Sequence, residues 1–176
     1  MRLKVLVGAA VAAATLLAAT SSAMAATATA TGDASITAVE TDSVMSCTTV
    51  GASGQGTFGL FDTNVSLGFS GCSTYLWGWL PIGSATIAVD ADSVEIDGSV
   101  ISINDIAGTA TVNLTDCVLE VEGSVQGDYD GDSSGGTASF SDDDGSLQIV
   151  SQSSSGCSGE NVGDAVFEGE FTVVIS

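Results

Sequence analysis

The chain has 176 residues with 22 acidic side chains and two basic ones, Arg2 and Lys4, and it contains no histidine. Nucleic acids and anionic lipid surfaces attract proteins through Lys and Arg, so this composition excludes both as partners of the chain beyond residue 4. It also excludes catalysis by a histidine base, a lysine Schiff base or an arginine clamp, and metal sites built on imidazole. Cations, neutral glycans and basic proteins remain as partner classes.

Residues 1–25 have the features of a secretory signal peptide. Arg2 and Lys4 form a basic start, an apolar run of about fifteen residues follows, and Ala23-Met24-Ala25 matches the small-residue pattern before a cleavage site. The apolar run is shorter than the about 20 residues of a membrane-spanning helix. The sequence therefore predicts an exported protein that is secreted or associated with the cell envelope.

The rest of the chain divides into a short segment and one domain. Residues 26–33 are Ala, Thr, Gly and Asp without a large apolar residue, which predicts a flexible N-terminal segment. From 34 to 176, short alternating runs of apolar and polar residues recur between Gly, Asp, Asn and Ser, and no window shows a helical period. This pattern predicts a single all-β domain, an antiparallel β-sandwich or flattened barrel.

Turn signals punctuate these runs. Asp97-Gly98 and Asp144-Gly145 each lie between two alternating segments and predict β-hairpins. Pro81 is expected in a connection, because proline cannot donate a hydrogen bond to a sheet. Phe171, Val173 and Ile175 alternate along the last predicted strand.

The four cysteines are expected to form two disulfides, because an even number in an exported chain is typical of disulfides rather than of metal or redox sites. The residues are Cys47, Cys72, Cys117 and Cys157. Of the three possible pairings we favour Cys47–Cys72 with Cys117–Cys157, since Ser-Gly-Cys then ends both loops. In the chain-entropy model, loops of these lengths contribute about 3.5–4 kcal/mol each.

Asp128, Asp130 and Asp132 alternate in a glycine-rich run and form a candidate calcium site. Carboxylates in such a loop can converge on Ca²⁺, a hard cation, which is the one cofactor that the sequence suggests. The EF-hand pattern fails at its sixth and twelfth positions, which are Ser133 and Ser139. The alternative is a solvated acidic hairpin end that discourages pairing at a sheet edge.

Trp77 and Trp79 are a candidate binding site. Residues two apart in an extended segment share a face, so the two rings are expected to form a platform for a sugar or an apolar partner. The alternative, which we favour on general grounds, is that both rings close one end of the β-sheet core.

Two pairs of glutamates have the spacing that glycosidases use. Glu120 with Glu122, and Glu168 with Glu170, lie two apart on predicted strands, and glycosidases need two carboxyl groups about 5–9.5 Å apart. Polar-out alternation produces the same spacing in any half-exposed strand. We therefore assign no catalytic residue.

The end of the chain carries a family resemblance. Residues 156–173 read GCSGENVGDAVFEGEFTV, with Gly-Cys-x-Gly and Gly-Asp before an alternating strand. With the Ala-rich signal and four spaced cysteines, this stretch resembles a family of small exported proteins from high-GC Gram-positive bacteria that have no assigned function. The resemblance implies a disulfide-stapled β domain and supplies no active residues, and this chain is more acidic than the family pattern.

Together these features predict a non-enzymatic binding or structural module with no catalytic site. They leave the oligomeric state of the protein open. An oligomeric envelope pore with an acidic lumen is the alternative, since alternating strands also build such pores. An acidic-site glycoside hydrolase is the less favoured third interpretation.

Overall fold

The computed structural model describes residues 25–141, 145–153, 157 and 162–176, so nearly all of the predicted signal peptide lies outside the described part. The secondary-structure elements of the described residues are ten β-strands, as the alternating pattern predicted. They are β1 (Ala26–Ala38), β2 (Ser43–Thr57), β3 (Leu60–Leu76), β4 (Leu80–Asp90), β5 (Ser93–Asp97), β6 (Val100–Val112), β7 (Cys117–Asp132), β8 (Gly135–Phe140), β9 (Gln148–Ser153) and β10 (Gly163–Ile175).

The strands form one antiparallel sheet that closes on itself. β4 and β5 each pair with β3 on one side and β6 on the other, so these two strands lie end to end in the wall. β8 and β9 lie end to end in the same way, because each pairs with β7 and β10. The ring runs β1, β2, β3, β4/β5, β6, β7, β8/β9 and β10, and the pairing of β1 with β10 closes it. Neighbours in sequence are thus neighbours in space, and the fold is the barrel alternative of the predicted architecture.

The prediction that residues 26–33 form a flexible segment is wrong. These residues belong to β1, which pairs with β10 from Ala28↔Ile175 to Ala38↔Ala165 and with β2 on its other side. Their small side chains bury little area, but both edges of the strand have backbone partners, and these long-range pairings order it. A Cβ at Gly32 would collide with the carbonyl oxygen of Glu170, so the close approach of β1 and β10 depends on this glycine.

The inward side chains fill the barrel with an apolar core. Phe61, Ile149, Val50 and Val121 are the largest fully buried side chains. Phe140 packs edge-on against Phe167 and Phe171, with ring centroids 5.4 and 5.8 Å apart. The alternation predicted for the last strand is confirmed, since Phe171, Val173 and Ile175 are buried and the residues between them are exposed.

Both disulfides have the predicted partners. Cys47 and Cys72 lie opposite each other on β2 and β3, and their sulfur atoms are 2.09 Å apart. Cys117 at the start of β7 joins Cys157, with an S–S distance of 2.04 Å. Two disulfides are consistent with an oxidising, extracellular environment.

Two of the three predicted connections differ from expectation. The hairpin predicted at Asp97-Gly98 is confirmed: Asp97 ends β5, Gly98 and Ser99 form the turn to β6, and Gly98 has a φ of 62°. The hairpin predicted at Asp144-Gly145 is wrong: Asp144 lies outside the described residues, Gly145 bridges to Val125, and β8 and β9 pair with β7 and β10 rather than with each other. Pro81 lies in β4 instead of a connection, where it is paired with Tyr75 beside a register shift in the β3–β4 ladder.

Candidate functional site

The turn between β3 and β4 presents both tryptophans. It consists of Trp77, Gly78 and Trp79, and the Trp79 N–H donates to the carbonyl oxygen of Leu76 at 3.2 Å. Trp77 and Gly78 have φ values of 52° and 70°, the sign that the two central residues of a type I′ turn require. We call these three residues the tryptophan turn.

The tryptophan side chains lie on the surface. Trp77 is 60% and Trp79 70% exposed, and their ring centroids are 6.4 Å apart with an interplanar angle of 32°. The expectation that they close the end of the core is therefore wrong. They also belong to a turn rather than to an extended segment. The core ends below this turn, at the half-buried Leu76 and Ile82.

The backbone at Trp77 is strained. A side chain with a Cβ approaches its own backbone at positive φ, at a cost of about 1–2 kcal/mol, so Asn or Gly normally occupies this position of a type I′ turn. The pairs Leu76↔Leu80 and Tyr75↔Pro81 fix the geometry of the turn from both sides. The backbone of Trp77 thus costs stability while it holds an exposed aromatic ring, an outlier from which a role at the surface can be proposed.

Other exposed apolar side chains lie at the same end of the barrel. They lie in the turns between β1 and β2, β3 and β4, and β6 and β7, at the start of β4 and just before β10, all of which the antiparallel order places at one end of the barrel. We call the set the tip surface: Val39, Trp77, Trp79, Leu80, Leu114 and Val162. Leu114, which is 76% exposed, lies against β4, where a Cβ at Gly83 would be 3.1 Å from its own. Sequence reasoning missed all but the tryptophans, because a lone apolar residue in a turn gives no periodic signal.

Carboxylates accompany the apolar side chains of the tip surface. Glu40 and Asp42 lie in the turn between β1 and β2, and Asp116 precedes β7. Asp164 at the start of β10 accepts a hydrogen bond from the Gln148 amide at 3.2 Å. The chain has no Lys or Arg beyond Lys4, so this surface combines apolar area with hydrogen-bond acceptors and carries no competing cation.

The structure does not bring the three candidate calcium ligands together. Asp128, Asp130 and Asp132 are exposed on the outer face of β7, where alternate side chains are about 7 Å apart, too far to share an ion bound at about 2.4 Å. In the described part of the chain, no three Asp, Glu or Cys residues are grouped so as to hold a metal.

Asp132 instead closes the turn between β7 and β8. One of its carboxylate oxygens accepts hydrogen bonds from the hydroxyl of Ser134 at 2.6 Å and from the backbone N–H of Ser134 at 2.7 Å. These bonds favour the ionised form, so they hold the pKa of Asp132 below its usual value. The alternative interpretation of an acidic hairpin end is the one that this geometry supports.

The glutamate pairs lie on the outer wall. Glu120 accepts a hydrogen bond from Ser151 at 2.5 Å, and Glu168 accepts one from Ser35 at 3.5 Å. Glu122 and Glu170 are exposed beside them, and none of the four lines the apolar cavities inside the barrel. The pairs therefore follow from polar-out alternation on β7 and β10.

The interior offers little room for a ligand. The central cavity of ≈ 70 Å³ has only apolar residues in its wall, and it is about half of the roughly 150 Å³ that accommodates benzene in an engineered cavity. A second cavity of ≈ 40 Å³ lies beneath the tip surface and holds the buried hydroxyl of Thr74, which has no hydrogen-bond partner. This volume suits about one water molecule. Neither of these two cavities has room for a ligand the size of benzene.

Comparison with known proteins identified no similar family model, curated protein or solved structure. The resemblance to small exported four-cysteine proteins thus stays a prediction. Within the described ranges, no helix has the length and apolar character to cross a membrane.

Proposed function

We propose that this protein is a non-enzymatic binding module, secreted or associated with the cell envelope, and that the tip surface is its contact surface. The observation that carries the proposal is the backbone of Trp77, which holds an exposed indole at a φ of 52°. Selection for stability alone would favour Asn or Gly at this position. A surface role for the ring explains why tryptophan occupies it.

The rest of the molecule suits the display of a rigid contact surface. The β3–β4 hairpin that carries the tryptophan turn is tied to β2 by Cys47–Cys72. At the same end, Cys117–Cys157 ties the start of β7 to the segment before β10. Side chains held by a closed sheet and disulfides lose little conformational entropy on binding, which favours affinity.

The other two interpretations gain no specific support. The interior of the barrel is filled by apolar side chains while the carboxylates lie outside, so an acidic lumen would have to form between chains. A hydrolase would need two carboxylates in a cleft, and the glutamate pairs lie on the exposed wall. We therefore retain the binding module.

The test compares retention of the purified protein on isolated cell envelopes of the organism that makes it. Trp77→Asn combined with Trp79→Ala is expected to lower retention at least tenfold. Phe58→Ala is the matched control, because Phe58 is an exposed aromatic residue in the turn between β2 and β3, at the opposite end of the barrel. Equal retention of the wild type and the tryptophan double variant would refute the proposal.

A further inference from the structure

We infer that the tip surface binds a neutral glycan, an inference that rests on the proposed function and names its ligand class. Sugar rings present apolar C–H faces edged by hydroxyl groups, so they stack on exposed aromatic rings and donate hydrogen bonds around them. The tip surface offers the matching chemistry. Two indoles 6.4 Å apart provide adjoining aromatic surface, and carboxylates at the same end provide acceptors.

The charge of the chain argues against the other macromolecular partners. Its formal net charge is −20, so a second copy of the chain or an anionic polymer would be repelled over the whole surface. A neutral glycan is not repelled, and its many hydroxyl donors suit a protein whose ionised side chains are all acceptors beyond Lys4.

A basic protein is the strongest alternative to a glycan as the ligand. The distribution of carboxylates over the molecule disfavours a basic partner at this end. Exposed acidic residues also lie on the outer wall, such as Glu122 and Glu170, and at the far end of β7, such as Asp128 and Asp130. Charge alone would therefore draw a basic partner to any of these faces. The exposed indole pair distinguishes the tip, and ring stacking on a sugar uses that feature directly.

The nature of the bonds predicts how binding responds to salt. Stacking and hydrogen bonds to neutral hydroxyls involve no ion pair, so screening by salt leaves them intact. A complex with a basic protein would weaken steeply as the salt concentration rises, because it depends on attraction between opposite charges. Salt dependence therefore separates the two ligand classes.

The experiment divides the cell envelope into three probes. These are the polysaccharide left after exhaustive protease digestion and solvent extraction, the solubilised envelope proteins, and vesicles made from the extracted lipids. Retention of the wild type, of Trp77→Asn with Trp79→Ala, and of Phe58→Ala is measured on each probe at low and high NaCl. Melting temperatures of all three proteins establish that each is folded.

The expected result is retention on the polysaccharide that changes less than twofold with salt, falls at least tenfold in the tryptophan double variant and is unchanged in Phe58→Ala. Tryptophan-dependent retention found only on proteins or vesicles would overturn the glycan inference and leave the binding module standing. Retention on the polysaccharide that disappears at high salt would also overturn it, because it would show a charged ligand. If retention on every probe is independent of the tryptophans, the proposed function fails as well.

Discussion

At the scale of single residues, Trp77 shows a conflict between stability and surface display. Its positive φ is unfavourable for a side chain with a Cβ, while Gly78 adopts its own positive φ of 70° without a steric cost. A Cβ at Gly78 would meet no atom within 4 Å, so the turn is open around this residue. Trp77 is thus a position where stability and the proposed binding make opposite demands.

Trp77→Asn is expected to raise the free energy of unfolding by about 1 kcal/mol, because Asn adopts positive φ more easily in a type I′ turn. Urea denaturation followed by circular dichroism measures the change. Trp79→Ala serves as the control, since Trp79 is equally exposed but is not among the residues with positive φ, and it should change stability by less than about 0.5 kcal/mol. A loss of stability in Trp77→Asn would show that the indole packs usefully in solution.

Asp132 gives a pH dependence with a definite sign. Hydrogen bonds from Ser134 hold its pKa below the usual value of 3.8, so the folded state favours the ionised carboxylate more than the unfolded state does. The resulting stability is present above the unfolded pKa and is lost as the pH falls through the lowered folded pKa.

Asp132→Asn is therefore expected to be less stable than Asp130→Asn at pH 6, and the difference should vanish near pH 2. Both variants remove one negative charge from the same face of β7, so the comparison cancels the general effect of charge. Denaturant titrations across this pH range measure it. A difference that persists at the lowest pH would contradict the assigned hydrogen bonds.

At the scale of elements, β1 closes the barrel. It is made of small residues, yet it pairs with β2 and β10 along most of its length. Opposite Phe171 of β10 the strand has Gly32, and the register with β2 shifts between Gly32 and Ala34. Closure therefore depends on the absence of a side chain at this position.

Gly32→Ala is expected to lower the free energy of unfolding by about 1–3 kcal/mol, because its Cβ would collide with the carbonyl oxygen of Glu170 and push the strands apart. Gly51→Ala on β2 is the matched control: its Cβ would lie 3.9 Å from the carbonyl oxygen of Ala30, an ordinary contact. That control should change stability by less than about 0.5 kcal/mol. Equal effects of the two substitutions would argue against a close β1–β10 contact.

At the scale of the whole molecule, uncompensated negative charge opposes folding. All 22 acidic residues lie beyond the two basic ones, so ion pairs with Lys or Arg contribute nothing to the described fold. Folding brings the carboxylates closer together than in the extended chain, and their mutual repulsion lowers the stability of the compact state. The apolar core and the disulfides offset this cost.

Raising NaCl from about 20 mM to about 500 mM at pH 7 is expected to raise the melting temperature by about 3 °C or more, because salt shortens the range of the repulsion. The same step at pH 4 should have a smaller effect, since fewer carboxylates are ionised there. Differential scanning calorimetry measures both. A melting temperature insensitive to salt at pH 7 would show that the charges are too well solvated to repel each other.

The sequence by itself predicted most of the strands and, among three possible pairings, favoured the disulfide pairing that the structure shows. Alternation of residues such as Phe171, Val173 and Ile175 is a local property of a strand with one buried face, so it can be read without knowledge of the fold. The acidic composition can likewise be read without the fold, and it predicts that nucleic acids and anionic lipid surfaces are not partners.

Only the tertiary structure decided the closure of the sheet, the place of β1 and the exposure of the tryptophans. A strand of Ala and Thr carries no apolar signal of its own, and its order comes from partners more than a hundred residues away, as in Ala28↔Ile175. Trp77 and Trp79 suit a core or a surface equally well by residue type, and they are exposed because the β3–β4 turn extends beyond the last layer of the core. Long-range pairing of strands sets where the core ends, and the local pattern of the sequence does not contain this information.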